Sequence, residues 1–403
     1  MKMISLKSAP RWLMIANAFV NALFCLPILM LYYGFKGVSI GDFFLIQGIS
    51  WIFVFFIEVP SGYIGDLFSR KNTVILGSAI WIVGYLFWIF GFGFWFILAG
   101  ELSFALAIAL VSGTIEAYLY DLLKKRHKED LFHKKLAKME TVSNIGLLTA
   151  TLSGAFLYQF FSPDTPIWCS VFCVAAGVGI MCLLPDVPES KRQIEENKSK
   201  LKDILDISKF AVKHKEIKWL MLYSSLYGML TLILMWGSQS VMVERALPVF
   251  MFSVIAGLNA FVRTAWSSIS GPLLDKRGLS GVIAVLCGVI IFSTFAACSA
   301  VYVPQWSVYA CLIFMVLGSG SVVLAHIATS TLINHRIRSD ERATVLSVNS
   351  MINRAFMGIG MVCLKPLFDN LGIGQTFMIS ALLLIPILLC SYRLVQMKLK
   401  LKK

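Results

Sequence analysis

Gly62-Tyr63-Ile64-Gly65-Asp66-Leu67-Phe68-Ser69-Arg70-Lys71 is the most polar interruption in the first 120 residues of the chain. An acid, two bases and two glycines stand there between two apolar runs, each long enough to cross a bilayer. A counterpart stands far downstream, at Gly271-Pro272-Leu273-Leu274-Asp275-Lys276-Arg277-Gly278. When Gly62 is set on Gly271, Asp66 falls on Asp275. Each turn follows the second apolar run of its half of the chain. The same polar turn at the same place in two halves is what a duplicated membrane bundle predicts.

Composition points the same way. Of 403 residues, 58% are hydrophobic and 14% are charged, where a soluble domain carries about 25% charge. One water-exposed globule could not bury that much apolar surface. Apolar runs near membrane length recur at 11–33, 42–64, 72–91, 94–122, 139–161, 166–185, 217–241, 248–272, 281–302, 305–333, 343–366 and 374–395. The first exceeds a signal-peptide core and lacks a small-residue cleavage site, so it reads as a retained helix. The expected architecture is all-α: a six-helix bundle over 1–185, a cytosolic linker over 186–216 and a second six-helix bundle over 217–403. In the linker Leu201, Ile204, Leu205, Ser208, Ala211 and Val212 share one helical face among lysines. That pattern predicts a helix lying on the membrane surface.

The formal charge of +14 would suit a nucleic-acid partner, but its placement excludes one. With the N-terminus in the cytosol, 31 of the 36 lysines and arginines fall on cytosolic segments. Lys36, Arg245 and Lys365 remain outside, and Arg263 and Arg354 lie within spans. The positive-inside rule then puts both termini in the cytosol, with the bases facing anionic headgroups. The nine cysteines sit almost entirely in apolar runs, with no Cys-x-x-Cys pair. They read as small apolar residues rather than a disulfide framework or a metal site.

With these spans and the paired turns in place, the sequence resembles the major facilitator superfamily (MFS) over essentially its whole length. That family carries a Gly-x-Leu-x-Asp-Arg-x-Gly-Arg-[Lys/Arg] turn between its second and third helices. Gly62, Asp66, Arg70 and Lys71 match it, while Leu67 replaces the first Arg and Ser69 the second Gly. The resemblance implies two pseudo-symmetric six-helix bundles around a cavity that opens alternately to either side. It implies a conformational latch formed by Gly62, Asp66, Arg70 and Lys71, repeated at Gly271, Asp275 and Arg277. Asp66 would lie near the start of the eleventh helix, about Glu341 to Thr344, where unpaired N–H groups favour a carboxylate. Arg70 would meet Asp121 in Ile115-Glu116-Ala117-Tyr118-Leu119-Tyr120-Asp121 at the end of the fourth. Two features depart from the family's proton-linked drug exporters: Glu101 stands where they carry an Arg, and the fifth span has Gly146 and Gly154 but no Pro.

Ionisable groups inside a bilayer are costly and need a partner or a function. Glu58, Glu101, Glu116 and His326 are the candidates for proton coupling, because a carboxylate gains a proton where water is excluded and loses it where water enters. Each also suits interhelix bonding, and Glu58 and Arg354 could pair across neighbouring helices. By resemblance, cavity walls come from the first, fourth, seventh and tenth spans. Candidates there are Asn17, Asn21, Tyr223, Tyr227, Trp236, Gln239, Ser319 and Ser321, with Arg354 as a cation for an anionic solute. Amides and aromatics suit an amphiphilic ligand and suit helix packing equally.

The expected function is secondary active transport of a small organic solute, proton-coupled, with drug or metabolite efflux as the first reading. Alternatives are proton-coupled uptake of a metabolite or siderophore, and a non-transporting membrane sensor of the same fold. No HExxH, P-loop or nucleophile–base constellation marks an enzyme. No cofactor and no nucleic acid are expected. The expected partners are the small-molecule substrate, the proton and the lipid bilayer, for a monomer in a cell membrane of the bacterial inner-membrane type. The topology has a direct test. An impermeant thiol reagent applied outside should label a cysteine introduced beside Lys36 and spare one beside Lys198; labelling beside Lys198 overturns the orientation.

Overall fold

The computed structural model describes residues 4–67, 69–187, 215–337 and 342–397, with backbone alone at 58–67, 215, 335 and 342–344. The surface helix expected in the linker lies outside the described residues. Regular structure among the described residues is helical. The first half contains α1 (Ala9–Val20), α2 (Leu29–Phe35), α3 (Ile40–Leu67), α4 (Arg70–Phe90), α5 (Phe94–Val111), α6 (Thr114–Lys124), α7 (Phe132–Phe160) and α8 (Thr165–Leu183). The second contains α9 (Lys215–Glu244), α10 (Phe250–Ser299), α11 (Gln305–Gly320), α12 (Val322–Arg336), α13 (Arg342–Ser380) and α14 (Leu384–Gln396).

Among the described residues, eight helical stretches are long and apolar enough to cross a membrane. The two longest each contain a break: α10 at Gly278, φ 60°, and α13 at Gly372, φ 77°. Only glycine takes that backbone without strain. Counting those two twice, and adding α1–α2 and α7, leaves room for the twelve expected crossings. Four expected spans are interrupted instead of continuous, the twelfth by a 3-10 turn at Ala381–Leu383. The first breaks after Val20, where the Asn21 amide donates to the Asn17 carbonyl at 2.8 Å and Pro27 follows; a side chain bonded to its own backbone competes with the helical ladder. The fourth breaks at Ser112–Gly113 and the tenth at Ser321.

The two polar turns break the chain at matching places. Seven residues after Gly62 stands Ser69, and seven after Gly271 stands Gly278. Ser69 is extended (φ −61°, ψ 144°) and its hydroxyl accepts from the Asn72 N–H at 3.4 Å. The serine that replaces a family glycine thus acts as the N-cap of α4.

The helices form two compact units. Unit 1 comprises Met1–Ser39, Phe53–Lys198 and Val249–Ala256; unit 2 comprises Ile40–Ile52, Ser199–Pro248 and Gly257–Lys403. The start of α3 therefore packs in unit 2 and the start of α10 in unit 1. In unit 1, α4 and α5 approach closely through glycines. A Cβ on Gly84 would lie 2.5 Å from Phe104, and one on Gly100 would lie 2.4 Å from Trp88. Small residues at such contacts let dispersion hold helices together where lipid removes the hydrophobic drive. In unit 2, α9 is central: 78% of its span is buried, against 56% or less in the other spans. The start of α3 joins this unit through Lys365, which donates to Asp42 at 2.5 Å and Asp369 at 2.8 Å. Phe44 also stacks on Phe368 there, with ring centroids 4.5 Å apart.

A cationic clamp recurs in both units. In unit 1, Lys36 at the end of α2 is only 1% exposed. Its Nζ donates to the Ile89 carbonyl at the end of α4 (2.8 Å) and pairs with Asp164 at the start of α8 (3.1 Å). The rings of Tyr32, Phe35 and Phe92 surround it at 4.7–5.4 Å. In unit 2, Arg245 just past α9 donates to the carbonyls of Val301 (3.0 Å) and Val303 (2.8 Å), just past α10. In each half a base following the first span thus closes the carbonyl end of the third, where the helix dipole favours a cation.

Lys36→Met should lower stability by roughly 3 kcal/mol, the low end for a broken buried pair, because Asp164 is 30% exposed and rehydrates. Asp164→Asn should cost less. Thermal unfolding in detergent measures both, and an unchanged transition for Lys36→Met removes the clamp from the stabilising interactions.

Candidate functional site

Glu101 lies in the second turn of α5 and is 8% exposed. Tyr33 on α2 donates its hydroxyl to Glu101 Oε1. The adjacent Tyr32 donates to Asp164 at 2.8 Å. Two consecutive tyrosines therefore serve two acids from two other helices. The Tyr33 ring meets Trp88 edge-on at 5.3 Å, and Trp88 meets Phe104 edge-on at 4.7 Å. Gly100 opens the space for the indole next to Glu101. The result is a carboxylate with an aromatic wall and a hydroxyl donor, in a setting from which water is largely excluded. A hydroxyl is both donor and acceptor, so it can serve either protonation state of the acid.

At the other end of unit 1, Arg70 Nη1 lies 2.7 Å from Asp121 Oδ2 and 3.3 Å from the Ala117 carbonyl. Lys71 donates to the carbonyls of Leu184 (2.6 Å) and Cys182 (3.1 Å), and so caps α8. Tyr118 donates to the Pro185 carbonyl at 2.7 Å. The first polar turn is thus fastened to the ends of α6 and α8. The side chains of Glu58 and Asp66 and the surroundings of Gly62 lie outside the described residues, as do Glu341 and the side chains of the rest of the expected partner stretch to Thr344. The second turn differs. Gly271, Asp275 and Arg277 are exposed, and neither Asp275 nor Arg277 forms an ion pair among the described residues. Glu116 is also exposed, on α6.

The cavity candidates are mostly buried within their own units. Asn17 donates to Ser143 at 2.8 Å, and Asn21 donates to Asn17 Oδ1 at 3.1 Å. Tyr223 and Tyr227 on α9 are buried with rings 5.6 Å apart. The Tyr227 hydroxyl shares a hydrogen bond with Ser321 at 2.6 Å. Tyr223 Oη and Trp236 Nε1 have no partner among the described residues, a costly state in an apolar interior. Trp236 packs edge-on against Phe43 at 5.2 Å, and Gln239 is buried. Arg354 is half-buried on α13, beside Asn353, whose amide bonds Ser225 (2.6 Å) and Ser224 (3.3 Å) of α9. His326 is exposed on α12 and Arg263 on α10. Asn259 donates to Ser319 at 2.6 Å and ties α10 to α11.

Sequence reasoning missed Tyr33, Lys36, Asp164 and Asn259. Lys36 follows an apolar span and reads as an ordinary boundary lysine. Asp164 precedes a proline at a helix start and reads as a cap. Asn259 had a usable signal: with Arg263, Ser267 and Ser270 it recurs at the helical period along one face.

Comparison with known proteins adds a family to this geometry. The model of the Major Facilitator Superfamily matches residues 12–361. An uncharacterized transporter of Buchnera aphidicola subsp. Acyrthosiphon pisum (strain APS), BU466, is 27% identical over 164 residues, which is 40% of this chain and 38% of that relative. Among solved structures, the nucleoside transporter NupG superposes with a TM-score of 0.77 at 14% identity, covering 98% of this chain and 99% of that one. A POT family transporter in complex with 5-aminolevulinic acid gives 0.67 at 12% identity, covering 96% of each chain. The human organic anion transporter MFSD10 gives 0.57 at 14% identity, covering 96% of this chain and all of that one. At these identities the structures speak for the fold alone, while the family model spans most of the sequence. The chain is a multi-pass membrane protein of the Major Facilitator Superfamily.

Proposed function

We propose that the protein is a secondary active transporter that carries a small organic solute by alternating access, coupled to protons through Glu101. The observation that carries this reading is the buried Glu101 held by Tyr33. A carboxylate favours its protonated form where water is excluded and its ionised form where water enters. A cycle that alternately closes and wets this pocket would therefore take up one proton and give it back. The Tyr33 hydroxyl would donate to the carboxylate and accept from the acid. The structural neighbours are named for nucleosides, 5-aminolevulinic acid and organic anions, which supports a polar organic solute of similar size.

The first polar turn serves this cycle as a latch. Arg70 and Lys71 anchor its end to α6 and α8. A latch acts on the balance of two states and not on ligand contacts. Asp66→Asn should shift the unliganded protein toward inward-open conformations, read as spectroscopic distances between probes on the two units. Unchanged populations in the mutant would remove the latch role.

Coupling has its own test in liposomes containing purified protein. One proton moved per solute lets a one-unit pH gradient sustain up to about tenfold accumulation, since each unit is worth about 1.36 kcal/mol. Glu101→Gln keeps the shape of the protonated acid, so it should abolish gradient-driven accumulation and retain exchange at equal pH. The sign of the wild-type response reads the direction of transport. Full gradient-driven accumulation by the mutant would dismiss Glu101 and pass the role to Glu58, Glu116 or His326. Absence of any protein-dependent flux would dismiss the transporter reading in favour of a sensor.

A further inference from the structure

Arg263 sits thirteen residues after the start of α10 and fifteen before its break at Gly278. At 1.5 Å per residue both ends are about 20 Å away, which places it near the middle of the hydrocarbon. A lipid headgroup does not reach that depth. An arginine there is expensive and marks a functional site by default.

The helix face on which Arg263 stands is polar. Asn259, Arg263, Ser267 and Ser270 follow one another at helical spacing. The exposed bulky residues of the same helix before its break, Phe250, Val254, Phe261 and Ile269, project about 120–180° away from Arg263 around the axis. Those large apolar side chains suit lipid, and Arg263 points elsewhere. Its position is fixed by contact with α11. Gly320 has no side chain, and a Cβ there would lie 2.6 Å from Val262 and 3.4 Å from the Arg263 backbone nitrogen. Trp266 donates to the Leu317 carbonyl at 3.3 Å and Asn259 to Ser319 at 2.6 Å.

Below the Asn259–Ser319 bond the two helices run in the same direction, since one crossing separates them. Arg263 lies one turn further along, at about 6 Å. His326 lies seven residues beyond Ser319, on α12 past the break at Ser321, about 10 Å further along the chain direction. Both are exposed, and neither forms an ion pair or a side-chain hydrogen bond among the described residues. The described acids of unit 2 are Asp42, Glu216, Glu244, Asp275 and Asp369, and all stand near helix ends or chain breaks. Within this unit, no described carboxylate at the depth of Arg263 neutralises it.

We propose that Arg263, with His326 as a second donor, binds the anionic group of the solute, a carboxylate or a phosphate, on the exposed polar face shared by α10 and α12. The guanidinium offers a planar fork matched to either anion, and the imidazole N–H adds a single hydrogen bond. This specifies the solute of the transporter reading and rests on it.

The test needs no flux. Full-length purified protein is melted at equal ionic strength in chloride, benzoate and inorganic phosphate, with benzamide as the uncharged match for benzoate. A ligand that binds only the native state raises the melting temperature. Benzoate or phosphate should stabilise the wild type above chloride, with benzamide inert, and the responsive anion names the group. Arg263→Gln should weaken the anion at least about tenfold, the loss expected for a charged hydrogen bond. Arg263→Lys should retain part of the effect and shows that loss of response is not loss of fold. His326→Gln should weaken it less than Arg263→Gln. The proposal is overturned if neither anion stabilises the wild type, if benzamide does so equally, or if Arg263→Gln responds as the wild type does. A protein that moves no solute across liposomes yet shows the Arg263-dependent shift loses the transporter reading and keeps the anion site.

Discussion

Hydrocarbon offers no partner to a charge or an open hydrogen bond, so each such group at membrane depth must be satisfied by the protein or by what the protein carries. Lys36, just past the first span, shows how completely the protein can satisfy a buried charge. Its ammonium ion is enclosed by three rings, the Ile89 carbonyl and Asp164. That single group fastens the ends of α2, α4 and α8, and holds the Tyr32–Tyr33 pair in place beside Asp164 and Glu101. Arg245 performs the corresponding task for α9 and α10 with two backbone carbonyls. Lysine in one half and arginine in the other reach the same kind of partner, the spent carbonyls just past a helix.

The ionisable groups then separate by how they are satisfied. Glu101 is held by the Tyr33 hydroxyl among buried aromatic side chains. Arg70 is held by an acid and a carbonyl, a firm anchor for the turn that carries Asp66. Arg263 and His326 are open. The helices α3 and α10 each belong to one unit at their start and to the other beyond it.

Much of this was legible in the sequence. The span positions came from hydropathy and length, quantities the bilayer dictates with little room for variation. The paired turns were visible because a glycine and an acid recur at one spacing, and Ser69 could be recognised as a departure though not as an N-cap. The breaks at Asn21, Gly113 and Ser321 were not legible. A polar residue within a long apolar run leaves hydropathy unchanged while its side chain or backbone ends the helix. The partners of Glu101 and Lys36 were also hidden. Tyr33 lies 68 positions from Glu101 and Asp164 lies 128 from Lys36, and tertiary pairs at such separation leave no local pattern. Tyr223, Tyr227 and Trp236 show the converse limit: their chemistry suits a ligand, yet their positions inside α9 packing are set by burial.

The division between fastened and open polar groups is tested most directly by single cysteines along α10 in a background without native cysteines. Positions 259, 263, 267 and 270 and positions 250, 254 and 261 would each be reacted with a hydrophilic maleimide in membranes. Reaction at Arg263→Cys and Ser267→Cys, with Val254→Cys and Phe261→Cys silent, is the expected result, because water must reach the polar stripe and lipid must cover the apolar one. Equal silence on both faces, or reaction confined to the Phe250–Val254–Phe261 face, would contradict it.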